Sequence, residues 1–233
     1  MYPIAVLCGG LGTRLLPRTE VVPKAMIGVL GQPFIDILLR SLVLEAISHV
    51  VLCVAHLGEV IEEHVADGSQ FGLNVSYSYD GAERLGTAGA IRKAIPMLGD
   101  RFGVVYGDSY LRCDFPEVQR AFDESKCDGL MTVLHNRGAL VPSNVAVDAG
   151  RVTRYDKFAS SSTIEYVDYG LTYYTARSFD MIPEVGASDL SDVATDLIRE
   201  SSLASFEVSD RFYEIGSVEG LADTEAYLKG LRP

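Results

Sequence analysis

Leu7-Cys8-Gly9-Gly10-Leu11-Gly12-Thr13-Arg14-Leu15-Leu16-Pro17, with Val22-Pro23-Lys24-Ala25-Met26 a few residues on, is the stretch from which the rest of the chain is read. A short apolar run passes directly into three glycines within four residues. No Cβ stands between those backbone amides and an approaching anion. Arg14 and Lys24 follow the turn, so amide donors and two cations fall close together in sequence. The glycines alone are equally consistent with a tight loop that holds no ligand. With the two cations they point to a phosphate-binding loop.

Two phosphate loops of known pattern do not fit. A Walker loop requires Gly-x-x-x-x-Gly-Lys-Ser/Thr, and no Lys-Ser or Lys-Thr follows these glycines. A dinucleotide fingerprint requires Gly-x-Gly-x-x-Gly, and Gly10-Leu11-Gly12 runs on to Leu15 where the third glycine belongs.

Outward from the loop, short β-branched runs alternate with longer stretches of helical period, the mark of an α/β layer architecture. Strands are expected at 4–7, 50–54, 75–79, 103–106, 130–134 and 169–175, and helices at 33–46, 58–66, 87–97, 115–125 and 218–228. Pro33 suits the first helical position, where its missing amide costs nothing. Residues 144–147 and 152–155, joined by Asp148-Ala149-Gly150-Arg151, read as a hairpin inside an inserted lobe. The Ser160-Ser161-Ser162-Thr163 run reads as a surface loop.

The whole chain bounds the function. Its 233 residues, 48% apolar and 22% charged, suit one domain with one sizeable core. A formal charge of −12 argues against nucleic acid and anionic membrane as partners, since both are held by basic patches. The N-terminus lacks the basic start and long apolar run of a signal peptide, and nothing reaches the roughly 20 apolar residues of a membrane span. Cys8, Cys53, Cys113 and Cys127 form no Cys-x-x-Cys and read as free thiols of a reducing cytoplasm. His56 and His64 lack the partners a zinc site demands.

The motif Gly9-Gly10-Leu11-Gly12-Thr13-Arg14-Leu15-Leu16-Pro17-Arg18-Thr19, with Pro23-Lys24 downstream, resembles the signature of the sugar-phosphate nucleotidyltransferases. Three later segments match that family in order: Glu83-Arg84-Leu85-Gly86-Thr87-Ala88-Gly89-Ala90, Tyr106-Gly107-Asp108-Ser109 and Tyr213-Glu214-Ile215-Gly216-Ser217. The resemblance covers nearly the whole chain. Within the family, Val65-Ala66-Asp67-Gly68-Ser69-Gln70-Phe71-Gly72 looks like guanylyltransferases acting on mannose 1-phosphate or D-glycero-D-manno-heptose 1-phosphate, enzymes of capsule or lipopolysaccharide precursors.

The resemblance implies a Rossmann-like, mixed but mostly parallel sheet flanked by helices. Residues 1–135 are then mainly nucleotide-binding and 136–176 mainly a small sugar-phosphate lobe, without the C-terminal β-helix of some relatives. It implies transfer of a nucleoside monophosphate from GTP to one of those sugar 1-phosphates. Leu7, Gly9, Gly10, Gly12 and Thr13 then hold the triphosphate, Arg14 supports the departing pyrophosphate, and Lys24 brings the attacking phosphate to the α-phosphorus. Gly86 and Thr87 touch base and ribose. Glu83 is read either as an acceptor for a guanine edge or as an exposed loop carboxylate.

Asp108, placed after an apolar strand, is implied as a Mg²⁺ ligand, a hard carboxylate for a hard ion. Glu214 stands where the family has a second metal-binding aspartate, and serves either the metal or the structure. Tyr155-Asp156-Lys157 resembles the family's Glu-Lys-Pro sugar site, with Phe158 for the proline. Asp168-Tyr169-Gly170 takes the place of an Asn-Ala-Gly, and Asn144 joins the same lobe. A cytidylyl- or uridylyltransferase of the same fold, and a non-catalytic nucleotide-binding regulatory module, are the competing readings. Assembly into a homo-oligomer stays open.

Overall fold

A computed structural model describes residues 1–10, 12–136, 142–156 and 164–231. The glycine-rich turn follows strand β1 (Ile4–Leu7), and a short antiparallel pair, β2 (Gly28–Val29) and β3 (Gln32–Pro33), leads into helix α1 (Phe34–Leu44). Then come β4 (His49–Val54), α2 (Gly58–Val65), β5 (Asn74–Tyr79), α3 (Gly86–Leu98) and β6 (Arg101–Tyr106). The chain continues through β7 (Ser109–Tyr110), α4 (Phe115–Ser125) and β8 (Gly129–His135) to the hairpin β9 (Val145–Asp148) and β10 (Arg151–Tyr155). Long β11 (Tyr166–Thr175), α5 (Leu190–Arg199), β12 (Leu203–Val208), β13 (Tyr213–Glu214) and α6 (Val218–Gly230) complete it.

The main sheet runs β5-β4-β1-β6-β11-β8-β12-β10-β9. It is mixed: β5, β4, β1 and β6 are mutually parallel, β8 and β12 are parallel, and β11 lies antiparallel between the two groups. Period-2 alternation sends Ile4 and Val6 to one face and Ala5 to the other. The first face is covered by apolar residues of α1, α2, α4 and α6, including Phe34, Ile61, Phe122 and Leu221, and the second by α3 and α5, through Ile91, Val193 and Leu197. Strands with helices on both faces bury both of their sides, which accounts for the unbroken apolar runs of β1 and β4.

Not anticipated from sequence were α5, β12 and the two-residue strands β2, β3, β7 and β13, and Pro33 is the N-cap of α1, one position before its first helical residue. The second face depends on α5, which starts in a capping box: the Asp189 carboxylate accepts from Ser191 N (2.8 Å), and Asp192 accepts from Asp189 N (3.0 Å). The far end of the sheet is tied by Asp128. Its carboxylate accepts from Thr175 Oγ1 (2.9 Å), Ser202 Oγ (2.8 Å) and the Arg177 guanidinium, which joins β8 to the end of β11 and the start of β12. Its side chain is 9% exposed.

The guanidinium of Arg177 holds the Asp128 carboxyl below its ordinary value. A depressed pKa contributes stability that is complete above the unfolded carboxylate value and lost as pH falls through the folded one. Asp128→Ala is therefore expected to cost about 3 kcal/mol near neutral pH, from the lost charge-assisted bonds and the donors left unpaired. Urea denaturation at neutral pH and below pH 4 checks it: the difference between wild type and variant is expected to shrink in acid.

Candidate active site

The turn after β1 is braced on both flanks. Cys8 N donates to Cys53 O (2.8 Å), Gly107 N donates to Leu7 O (3.0 Å), and Thr19 Oγ1 folds back to donate to Gly12 O (2.9 Å). After β1 the chain moves to β4 and β5 on one side and later to β6 on the other, so the gap between β1 and β6 is the topological switch point where open α/β sheets bind ligands. A cavity of about 400 Å3 opens there. Leu7, Gly9, Gly10, Gly12, Lys24, Gly86, Thr87 and Asp108 all line it.

Lys24 enters from a tight turn, Lys24–Met26, anchored by the buried Ala25. Its Nζ is paired with Asp108 Oδ2, and the Lys24 side chain is 13% exposed. Asp108 lies just past the end of β6, with its other oxygen accepting from Ser109 Oγ at 3.2 Å. Burial, with Asp108 adding to it, pushes the neighbouring Cys8 thiol up to about 12. Cys8 is therefore a neutral wall of the cavity.

Glu214 joins this cluster through the short pairing of β13 with β7, which sets Glu214 opposite Ser109 and lets Ile215 N donate to Asp108 O (2.9 Å). Its carboxylate accepts from Gly216 N and from Ser217 Oγ (3.0 Å), just before α6. Arg14 is exposed. It lines an adjoining cleft of about 450 Å3 together with Glu214, Ser217 and Arg211. Thr13 is exposed and lines neither space.

Two carboxylates on adjacent strands beside a phosphate-type loop suit Mg²⁺, which takes one or two protein carboxylates plus phosphate oxygens and water. Among the described residues no group of three or more His, Cys, Asp or Glu could hold a metal ion. A cation here would thus depend on oxygens that a bound ligand brings.

In the turn before α3, Glu83 takes the second of its two readings, the exposed loop carboxylate. Glu83 is exposed and does not line the cavity, whereas Asp80 and Arg84 do. Asp80 accepts from Leu85 N (3.1 Å), and burial pushes its carboxyl up from the ordinary value. Sequence reasoning missed both residues, since nothing in an irregular loop announces which side chains turn inward. Gly86 opens α3 with φ +72, and a Cβ there would collide with the backbone of Ser188. Thr87 Oγ1 donates to Asp189 (3.2 Å) and accepts from Leu190 N (2.9 Å), which fastens the starts of α3 and α5 together.

The residues expected to hold a sugar gather near the start of β11. Asp168 accepts from Tyr155 OH (3.1 Å) and from Gly170 N (3.0 Å), and Asn144 Oδ1 accepts from Asp168 N (2.9 Å). Asp156 N donates to Asn144 O (2.9 Å), and the Asp156 carboxylate meets Arg154 at 3.2 Å. Tyr106 lines both the main cavity and a small pocket with Tyr155, Asp168 and Gly170, so the two sets of residues adjoin. Burial and the Asp168 carboxylate push the Tyr155 phenol far up, which keeps it a hydrogen-bond donor. Lys157 and Phe158 lie outside the described residues.

Comparison with known proteins gives the family. A family profile described as "Nucleotidyl transferase" matches residues 4–229. The chain is 27% identical over 231 residues, 91% of its length, to a UTP–glucose-1-phosphate uridylyltransferase of Synechocystis sp.. It is 34% identical over 121 residues, 52% of its length, to a D-glycero-alpha-D-manno-heptose 1-phosphate guanylyltransferase of Campylobacter jejuni. The chain spans 60% of the first relative's length and 53% of the second's. The structure of HddC from Yersinia pseudotuberculosis superposes with a TM-score of 0.80 at 21% identity, covering 98% of this chain and 100% of that one, and so shares its fold.

Proposed function

This chain belongs to the nucleotidyl transferase family, and from that premise we propose that it transfers a nucleoside monophosphate from GTP to a sugar 1-phosphate, releasing pyrophosphate. The acceptor in this reading is D-glycero-D-manno-heptose 1-phosphate or mannose 1-phosphate, a choice supported by the heptose 1-phosphate relative. The observation that carries the reading is the cavity at the switch point, with the glycine-rich turn on one wall and the Lys24–Asp108 pair at its edge. Residues 1–135 serve mainly the nucleotide and 136–176 mainly the sugar phosphate.

The chemistry is an in-line displacement at the α-phosphorus, so the protein's task is to align two polyanions and offset developing charge. Gly9, Gly10 and Gly12 present backbone amides to the triphosphate, and Arg14 supports the pyrophosphate as it departs. Lys24 draws the attacking phosphate in, a step for which it must exchange Asp108 for the substrate. Asp108, with Glu214 on the neighbouring strand, would hold Mg²⁺, which would offset triphosphate charge. Asp168, Asn144, Asp156 and Gly170 surround the sugar phosphate.

Guanine is favoured by Asp80 and Arg84 on the cavity wall. Its N1–H and N2–H donors suit a carboxylate acceptor, while its O6 and N7 acceptors suit an arginine. Asp80→Asn keeps an oxygen for Leu85 N but halves the acceptor capacity. We expect it to lower kcat/KM for GTP by about 30-fold, roughly the 2 kcal/mol of a charge-assisted hydrogen bond, with a smaller loss for the other triphosphates. Equal losses for all four would remove Asp80 from base recognition.

The test of the whole reading is pyrophosphate release from four triphosphates against a panel of sugar 1-phosphates, with and without EDTA. Release with GTP that EDTA abolishes is the expected result. A preference for UTP would establish the second reading, which the uridylyltransferase relative across 91% of the chain supports. If no triphosphate binds at millimolar concentration, both readings fall, along with that of a regulatory module.

A further inference from the structure

Gly216 is buried at the junction of β13 and α6, and it lines neither the cavity nor the cleft. The space above its Cα is nonetheless shared by three charged groups, two of which reach it from the N-terminal loop some two hundred residues away. A methyl group built there would stand 2.7 Å from Lys24 Nζ and 3.0 Å from Arg14 Nη2, and closer still to Glu214 Oε2. Every one of those atoms is the far end of a flexible side chain, and no backbone atom is among the nearest neighbours. By contrast, a methyl on Gly220 would meet the Glu214 backbone oxygen at 2.7 Å, and one on Gly107 the Leu7 oxygen at 2.9 Å. The backbone at Gly216 is not left-handed, so alanine introduces no strain in φ.

We propose that Gly216 is a positioning residue for the transfer reaction: the space left by its missing side chain is where the ends of Lys24, Arg14 and Glu214 converge. Lys24 is paired with Asp108, and the Glu214 carboxylate stands beside both cations. The Gly216 N–H and the Ser217 hydroxyl in turn hold that carboxylate. From this one platform Lys24 faces the cavity and Arg14 faces the cleft beside it, so the cation for the attacking phosphate and the cation for the leaving pyrophosphate are set in a fixed relation. Displacing their ends by an ångström misaligns both without altering the core. The proposal rests on the nucleotidyltransferase reading above and adds to it the residue that sets the spacing of its two cations.

Three variants test it: Gly216→Ala, Glu214→Asp, and the two combined. Gly216→Ala is expected to keep the wild-type circular dichroism spectrum and a melting temperature within about 3 °C of wild type. Its kcat is expected to fall about 50-fold while KM for the triphosphate changes less than threefold, the pattern of groups that act in the transition state. Pyrophosphate binding by calorimetry is expected to weaken about tenfold through Arg14. Glu214→Asp withdraws the carboxylate from the new methyl group, so the double variant is expected to recover at least fivefold in kcat over Gly216→Ala. Wild-type kcat in Gly216→Ala, losses that simply multiply in the double variant, or a large fall in melting temperature would each overturn the proposal. An inactive wild type against every triphosphate would instead sink the underlying reading.

Discussion

Asp108→Asn is expected to lower the rate of pyrophosphate release about a thousandfold, roughly 4 kcal/mol of transition-state stabilisation. The amide keeps the shape of the carboxylate, and the backbone bond from Ile215 N to Asp108 O is untouched, so the fold stands. What disappears is the negative charge at the carboxyl end of β6. Without it the cation has lost its best ligand, and Lys24 has lost the partner that fixes its ammonium at the cavity edge. Both losses act on the same step, so their effects do not add as independent terms. Initial rates measured against Mg²⁺ concentration decide the matter. The expected curve has both a lower plateau and a higher half-saturating Mg²⁺ concentration; a rate within tenfold of wild type at all concentrations would take Asp108 out of the metal site.

Lys24→Ala is expected to reduce kcat by about 300-fold and to leave triphosphate binding within threefold of wild type. The proposed partner of Lys24 is the attacking phosphate, whose charge is neutralised fully only as it closes on the α-phosphorus, and such an interaction appears in kcat rather than in ground-state affinity. Lys24→Arg is expected to restore little, because a planar fork on a different stem does not reproduce a compact point charge in a space shared with Arg14 and Glu214. Steady-state kinetics with triphosphate and sugar phosphate varied in turn, together with calorimetric titration of the triphosphate, measure both quantities. A raised KM for the triphosphate with unchanged kcat would reassign Lys24 to uniform substrate binding.

Much of the frame was legible because it follows from local rules. The strand feeding the glycine turn, the hairpin across Asp148 to Arg151, and the helices at 58–66 and 115–125 announce themselves by apolar period and turn residues, and each forms within a few residues of its expected bounds. β12 escaped because Leu203 to Val208 mixes apolar and polar residues without a clean alternation, its inward side chains being decided by neighbours far away in sequence. α5 carried a readable signal in Asp189 and Asp192, a capping pair three residues apart, ahead of an apolar stripe at Leu190, Val193, Ala194 and Leu197. The phosphate side of the site was legible from motif order. The base side was not: Glu83 and Arg84 are adjacent in an irregular loop, and only the fold determines that Arg84 and the earlier Asp80 line the cavity. Nor does sequence reveal that Arg14, Lys24 and Glu214 meet over Gly216, since their meeting depends on the β7–β13 pairing.

That pairing has a consequence for how the protein is made. Ser109 finds its partner in Glu214, and Thr87 finds its own in Asp189 and Leu190, both more than a hundred residues later. A chain emerging from the ribosome at about 5–20 residues per second therefore has its entire glycine-rich turn, Lys24 and Asp108 outside the exit tunnel for several seconds before the segments that fix them exist. During that interval the first half carries phosphate-binding groups without the walls that give them geometry, and its exposed β6 edge still awaits β11. Ribosome-bound chains stalled before Ser188 should thus be protease-sensitive around the α3 turn, and protection there should arrive together with α5.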